Sequence, residues 1–493
     1  MQGGKRSNAG RVALPDEEKK EGHKIYLNST LKNDINAYGF GSSFSEKCTT
    51  LIDQKITELK QGEKDTLRFI DLFAGLGGIR LGLEQACAEL GVKAECVFSS
   101  EIKPHAIDAY SKFFNETNIA GDITKVHEDN IPKFDMLLAG FPCQPFSAAG
   151  KGRGFEDTRG TLFFDIERIL KKHEPYSFLL ENVEGLVNHE KGETLRIIIS
   201  HLEALGYEVN CDLLDSKTFG LAQSRKRVYI VGTKAEKISL TGFAISTSQF
   251  AAVMEHNVST LDTNFTRCLF EHYTPSEVLG KAIKDKRGGK NNIHSWDIEL
   301  KGRVTPQQKE LLETLLKERR KKHWAEIIGI PWMDGMPLTL TQIKTFYEIP
   351  NLQSQLDDLV EKGYLAFEHP KKIENNARVP DTTKSRGYNI VSGKLSFEFT
   401  KILDPCDLAP TLVATDVSKL GVIDGNGLRS LTIREGQRLC GFPENYDLSF
   451  LAKADAFDLL GNTVCVSVIN AIAKRLAQSH IENRGLIALS RVQ

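Results

Sequence analysis

From residue 66 to about 242, short apolar runs alternate with stretches whose apolar positions recur every three to four residues. "LRFIDLFAG", "AECVFSSE", "FDMLLAGFP", "YSFLLENV" and "RKRVYIVGT" read as strands. "GGIRLGLEQACAELG" and "KPHAIDAYSKFF" read as helices between them. Strands alternating with helices predict a parallel sheet covered on both faces, with ligands at the carboxyl ends of the strands. The pattern weakens after 243, and 243–410 is irregular and richer in charge. Order returns near the end, where "GNTVCVSVINAIAKRLAQ" reads as a loop and a helix.

At 493 residues the chain is expected to hold two to four domains. Its net charge of −1 excludes little, because a local basic face is enough to bind nucleic acid. No apolar run is expected to reach the ~18 residues of a membrane span. The basic start "MQGGKRSNAGR" has no apolar core and does not read as a secretory signal. Nine cysteines with no CxxC pair and no zinc-ligand spacing fit a reducing cytoplasm.

Two constellations carry chemistry. The first is "DLFAGLGG", which follows the first strand and opens a helix, and contains Asp71, Phe73, Gly75 and Gly77. The dinucleotide fingerprint needs a third glycine where this chain has Arg80, so the loop suits a ligand without a pyrophosphate, such as S-adenosylmethionine. Glu101 ends the second strand, where a carboxylate takes ribose hydroxyls, and Asp122 in "GDI" suits an adenine amino group.

The second is "LLAGFPCQPFSAAGKG". Pro142 and Pro145 fix the backbone around Cys143, which argues for a placed nucleophile rather than a packed core thiol. Glu181 and Asn182 end the strand "YSFLLENV". "QSRKR" sets Gln223, Arg225 and Arg227 just before another strand, with the two arginines on one face if extended.

Taken in order, "FIDLFAGLGG", "GFPCQPFS", "GTLFFDI", "ENV", "QSRKRVYIVG", "RSLTIREGQRLCGFP" and "GNTVCVSV" resemble the motifs of DNA cytosine-5 methyltransferases of the prokaryotic restriction–modification type. The resemblance covers roughly 66–242 and 405–480; Cys440 stands where the family often has glutamine. It implies an α/β fold: a Rossmann-like, mostly parallel S-adenosylmethionine-dependent methyltransferase sheet with an inserted target recognition domain. It implies that the Cys143 thiolate attacks C6 of a cytosine flipped out of double-stranded DNA. Glu181 would serve N3 and the amino group, Arg227 would hold O2, and Arg225 would support that pocket. The cofactor pocket would be lined by Asp71, Phe73, Gly75, Gly77, Glu101, Ile102, Asp122, Ile123, Pro142, Leu162, Asn462 and Thr463. Gln144, Ser147, Lys151, Arg153 and Gln223 would meet DNA, the loop "SAAGKGRGFEDTRG" closing over the extruded nucleotide. The implied genetic partner is a cognate restriction endonuclease, and the implied location is the cytoplasm, at the nucleoid, with no membrane. The rivals are a tRNA cytosine-5 methyltransferase and a DNA-binding transcriptional regulator.

These readings divide the chain into 1–62, a catalytic domain at 66–242, a target recognition domain at 243–412, and a C-terminal part, 413–493, that returns to the catalytic domain. Residues 281–330 hold 13 Lys or Arg against 7 Asp or Glu, densest in "KERRKKHW", and are expected to meet phosphates. "LTLTQIKTFYEIPNLQSQLDDLVEKGYLAFE" looks like a winged helix, with "NLQSQLDDLVEKG" as its second helix. Residues 1–62 show a short strand, "KIYLN", and helices capped near Ser29 and Ser43, similar to ribbon-helix-helix domains that dimerise on DNA. A homodimer and repression of the protein's own operon are implied.

Overall fold

The computed structural model describes residues 27–38, 42–64, 66–142, 162–286, 288–289, 291–374, 377–391 and 397–483. The chain divides into two compact units, Met1–Asp65 and Thr66–Gln493. In the first, helices α1 (Ser29–Tyr38) and α2 (Phe44–Lys64) follow one another. The cap of α1 is Asn28, next to Ser29: its Oδ1 accepts from the Leu31 amide at 2.8 Å. Ser43 caps α2 through the Glu46 amide at 3.2 Å, while Glu46 reaches back to the Ser42 amide at 2.8 Å. Of the expected strand, residues 24–26 lie outside the described residues, and Leu27 and Asn28 are not in a strand.

The second unit is built on a six-stranded sheet. In chain order its elements are β1 (Thr66–Leu72), α3 (Gly78–Glu89), β2 (Lys93–Ser100), α4 (Pro104–Phe114), β3 (Met136–Gly140), α5 (Leu162–His173), β4 (Ser177–Val183), α6 (Glu193–Ala204), β5 (Glu208–Asp215) and β6 (Lys226–Thr233). The strand order is β2-β1-β3-β4-β6-β5. Strands β1 to β4 are parallel, and β6 runs antiparallel to both its neighbours. The first six residues of β4 are buried, which is why "SFLLEN" lacks an alternating pattern. The chain leaves β1 for β2 on one side and β3 on the other, so the carboxyl ends of these strands bound a crevice.

The insert opens with α7 (Asn264–His272), β7 (Ala282–Ile283) and β8 (Asn292–Ile293). Next come α8 (Pro306–Glu318), α9 (His323–Ile328), α10 (Leu340–Lys344), α11 (Leu352–Glu361), β9 (Leu365–Glu368), β10 (Lys371–Glu374), β11 (Ala377–Pro380) and β12 (Gly387–Ile390). β12 pairs antiparallel with β9, and Tyr388 on its other edge bridges Leu338. Between them β10 and β11 form a hairpin. A core of Trp296, Leu311, Leu315, Leu356, Leu359 and Tyr388 holds this subdomain together. β13 (Lys401–Ile402), β14 (Leu420–Asp424) and β15 (Gly427–Ser430) then join β7 and β8 in a five-stranded sheet, so pairing runs across the expected boundary at 412/413.

The chain ends with α12 (Ile433–Leu439), α13 (Lys453–Asn462) and α14 (Val466–Glu482). α14 lies on α3: a Cβ on Gly82 would stand 2.6 Å from Cγ2 of Ile469, so glycine there permits the close approach. Ile469, Ile472 and Leu476 are fully buried beside Leu83 and Phe69, each contributing about 1.5–3 kcal/mol. Contrary to the sequence expectation, one stretch, Lys453–Glu482, is long and apolar enough to span a membrane. It is broken at Thr463–Cys465 into α13 and α14, and its apolar window is 72% buried in the core.

Candidate active site

The loop after β1 carries left-handed backbone at Phe73 (φ 55°), Gly75 (φ 54°) and Gly77 (φ 70°). Glycine adopts this freely; a phenylalanine held there costs about 1–3 kcal/mol, a strain typical of ligand clamps. The loop is pinned by Glu101, whose Oε2 accepts from the Gly75 amide at 2.8 Å. The Glu101 Oε1 accepts from the amides of Ile102 (2.7 Å) and Lys103 (2.9 Å). One carboxylate at the end of β2 therefore fixes the β1 loop, with lone pairs left for ligand hydroxyls. Asp122 Oδ1 accepts from the Thr124 amide (3.1 Å) and hydroxyl (2.7 Å), and these bonds, with Lys125, hold its carboxyl below the usual range.

A cavity of about 390 Å³ opens against these residues. Phe73, Gly75, Glu101, Ile102, Asp122, Ile123, Pro142, Leu162, Asn462 and Thr463 all line it, and so do Glu181, Arg225 and Arg227. Glu181 is buried at the end of β4, with Oε1 3.1 Å from Arg227 Nε. Burial raises the Glu181 carboxyl above its ordinary value, against the lowering effect of Arg227 and Arg225. Burial, helped by the charge of Arg225, also lowers Arg227. Both shifts say that desolvation outweighs pairing here, so a proton on Glu181 is cheap. Arg225 is buried and donates to the carbonyls of Leu412 (2.8 Å), Gly461 (3.1 Å) and Thr463 (2.5 Å). It holds the C-terminal segment against the sheet.

Three expected contacts are corrected. Asp71 does not line the cavity: it is buried and accepts from the Tyr110 hydroxyl at 3.2 Å. Burial pushes its carboxyl up to about 8. It shares strand parity with Phe69, whose side chain packs toward α3 and α14, and so faces inward. Gly77 is not among the residues that line the cavity, and a Cβ there would stand 2.3 Å from the Phe114 ring. Gln223 is fully buried and cannot meet DNA; its amide donates to the Leu439 carbonyl (3.0 Å) and its Oε1 accepts from the Leu412 amide (3.0 Å). Cys143, Gln144, Ser147, Lys151 and Arg153 lie outside the described residues.

Sequence reasoning missed Lys103, which lines the cavity while its Nζ meets Asp458 Oδ2 of α13 at 2.8 Å. It also missed Arg80, noted only for not being a glycine. Arg80 is buried, bonds Tyr110 at 3.0 Å, Glu84 at 2.7 Å and Glu116 at 2.9 Å, and stacks over Phe114. Nothing in the local pattern marks either role.

A mostly parallel sheet, a glycine loop after β1, and acids at 101 and 122 around an apolar-walled cavity define an S-adenosylmethionine-dependent methyltransferase. A family profile described as C-5 cytosine-specific DNA methylase matches residues 67–478. The type II methyltransferase M.NlaIV of Neisseria lactamica is 54% identical over 417 residues, 83% of this chain and 98% of that protein. M.NgoBV of Neisseria gonorrhoeae matches with the same identity and coverage. M.HgiCI of Herpetosiphon aurantiacus is 42% identical over 444 residues, 84% of this chain and 98% of that protein. The chain belongs to the C-5 cytosine-specific DNA methylase family.

Proposed function

We propose that the chain methylates a cytosine extruded from a short double-stranded DNA site, through a bond between Cys143 and C6. The observation that carries this is the buried Glu181–Arg227 pair in the same cavity as Phe73, Glu101 and Asp122. Pro142, which precedes the cysteine, and Leu162, where α5 begins, both border that cavity. In this reading the Cys143 thiolate adds to C6 while Glu181 delivers a proton to N3, so negative charge does not build on the ring. Arg227 holds O2, and Arg225 keeps Thr463 and Gly461 in place. Phe73 and Glu101 would hold S-adenosylmethionine, whose sulfonium would supply an electrophilic methyl group for C5. Water takes the C5 proton, N3 returns its proton to Glu181, and the C6–S bond breaks to release the thiolate.

The test is covalent trapping on duplex DNA carrying 5-fluorocytosine, with Cys143→Ser as control. A Cys143-dependent adduct on DNA is the expected result. An adduct on RNA alone would turn the reading to a tRNA enzyme, and none at all to a regulator.

The insert is proposed as the target recognition domain. The order α8, Leu338 bridge, α10, α11, β9, hairpin, β12 supports a winged helix, with β10–β11 as the wing. The two helices in 29–64 support the ribbon-helix-helix reading, with dimerisation and operon repression. Deleting 1–62 should then abolish promoter binding and leave methylation intact. The relatives are named type II methyltransferases, which supports protection of host DNA from a partner endonuclease as the biological role.

A further inference from the structure

A second cavity, of about 750 Å³, lies between the five-stranded sheet and the winged-helix subdomain. Arg319, 1% exposed at the end of α8, forms part of its wall. Its Nη1 donates to Asn389 Oδ1 (2.5 Å) and to the Ile390 carbonyl (3.3 Å). Its Nε is buried without a hydrogen-bond partner, and no carboxylate lies within ion-pair distance among the described residues. Gly335 makes room for the guanidinium: a Cβ there would stand 2.7 Å from Nη1. A buried cation with neither counter-ion nor full hydrogen bonding is costly unless a ligand completes it.

The acids around this cavity are already engaged. Asp285 accepts from the Ser295 amide and hydroxyl, Asp334 is paired with Arg320 and Lys286, and Glu368 accepts from Asn389. Asp416, which also lines the cavity and pairs with no cation among the described residues, accepts from the Thr415 hydroxyl at 3.3 Å. Lys284, Lys371 and Arg378 also line it, exposed and outside any ion pair among the described residues. The local charge therefore favours an anion.

We propose that this cleft is a phosphate-binding site that grips the DNA backbone beside the extruded base, with Arg319 in its wall and Lys284, Lys371 and Arg378 at its rim. The inference rests on the DNA methyltransferase reading and adds a contact separate from the catalytic cavity. Two features favour DNA over a free anion. The wing places Lys371, Ile373 and Arg378 on one face, because 371 and 373 alternate together and Arg378 pairs directly with Ile373. Ile373 is 68% exposed between these cations, suited to a sugar edge between phosphates. The exposed residues of α11 include Asp357 and Glu361, so the wing rather than the helix carries the positive charge. The two cavities are also close. Ala414 backs against Gly461 of the catalytic cavity, while Asp416 lines this one; the Asp416 amide bonds the Val413 carbonyl at 2.8 Å, a turn whose ends lie within about 7 Å.

The experiment measures binding of the full chain to unmethylated plasmid DNA across a salt series, beside S-adenosylmethionine binding and methyl transfer by the wild type. In the triple variant Lys284→Ala, Lys371→Ala, Arg378→Ala, the slope of log affinity against log salt should flatten by about two to three, with cofactor binding unchanged. Arg319→Lys should keep more DNA affinity than Arg319→Met. An unchanged slope in the triple variant overturns the proposal. So does a wild-type cleft that binds inorganic phosphate or a nucleoside monophosphate while its variants bind DNA normally, since the anion would then be a free one. Loss of methyl transfer by the wild type itself would instead count against the parent reading.

Discussion

Arg227 Nε stands 3.1 Å from Oε1 of Glu181, yet the carboxyl titrates above its ordinary value because both groups are buried. The pair places a carboxyl that takes up a proton more readily than usual in the wall of the cavity.

Replacing Glu181 with glutamine should lower methyl transfer by about 10²–10⁴-fold, the usual contribution of a positioned acid, with cofactor affinity retained. Single-turnover transfer of labelled methyl groups to plasmid DNA checks this. If the variant transfers at the wild-type rate, Glu181 is not the proton source.

Arg227 lowers the Glu181 pKa, so removing it raises that pKa further. In Arg227→Met the alkaline limb of the rate against pH should move to higher pH, while the rate itself falls for want of the O2 contact. A limb that stays put, or moves to lower pH, contradicts the electrostatic account.

Asp71 is raised from 3.8 to about 8, so it is protonated in the folded state at neutral pH. A raised folded pKa means a stabilising contribution that is full below about pH 4 and gone above about pH 8. Relative to Asp71→Asn, the wild type should lose about 1.4 kcal/mol of stability per pH unit across that window. Urea unfolding of both proteins at several pH values measures it; parallel curves would refute it.

Phe73 has φ 55°, so Phe73→Ala and Phe73→Gly should separate strain from binding. Both should weaken S-adenosylmethionine binding, but the glycine variant should be more stable than the alanine one by about 1 kcal/mol, because only glycine adopts this backbone freely. Calorimetric titration and thermal unfolding give the two readouts.

Truncating Arg225 to methionine leaves the carbonyls of Leu412, Gly461 and Thr463 without their donor. At about 1–3 kcal/mol for each unsatisfied group, destabilisation of several kcal/mol should follow, with weaker cofactor binding because Gly461 and Thr463 line the pocket. Chemical unfolding and cofactor titration test both.

The central strands were legible because the parallel ones are buried on both faces and leave continuous apolar runs. β5 was not: it is an edge strand whose residues are mostly half-buried, and "EVNCDLLD" blurs into its surroundings. Polar residues at strand ends were legible as a set, but their direction was not. Glu181 lines the cavity, whereas Asp71 turns inward to Tyr110, and only tertiary packing separates the two. Gln223 and Arg319 show the same limit. Each sits in a polar or basic run that reads as a contact surface, and each is buried. The long-range pairing of the two motif blocks depends on Gly82 receiving Ile469, a relation that local periodicity does not carry.

That interlock of α3 with α14 has a consequence for synthesis. The ribosome makes the glycine loop and the cysteine early, but Thr463 and Asn462, which finish the cofactor wall, and Ile469, which seats the last helix, emerge near the end of translation. A nascent or prematurely terminated polypeptide therefore has no closed donor pocket. Expressed as two separate polypeptides split within the insert, the halves should be inert alone and gain activity only on reassociation.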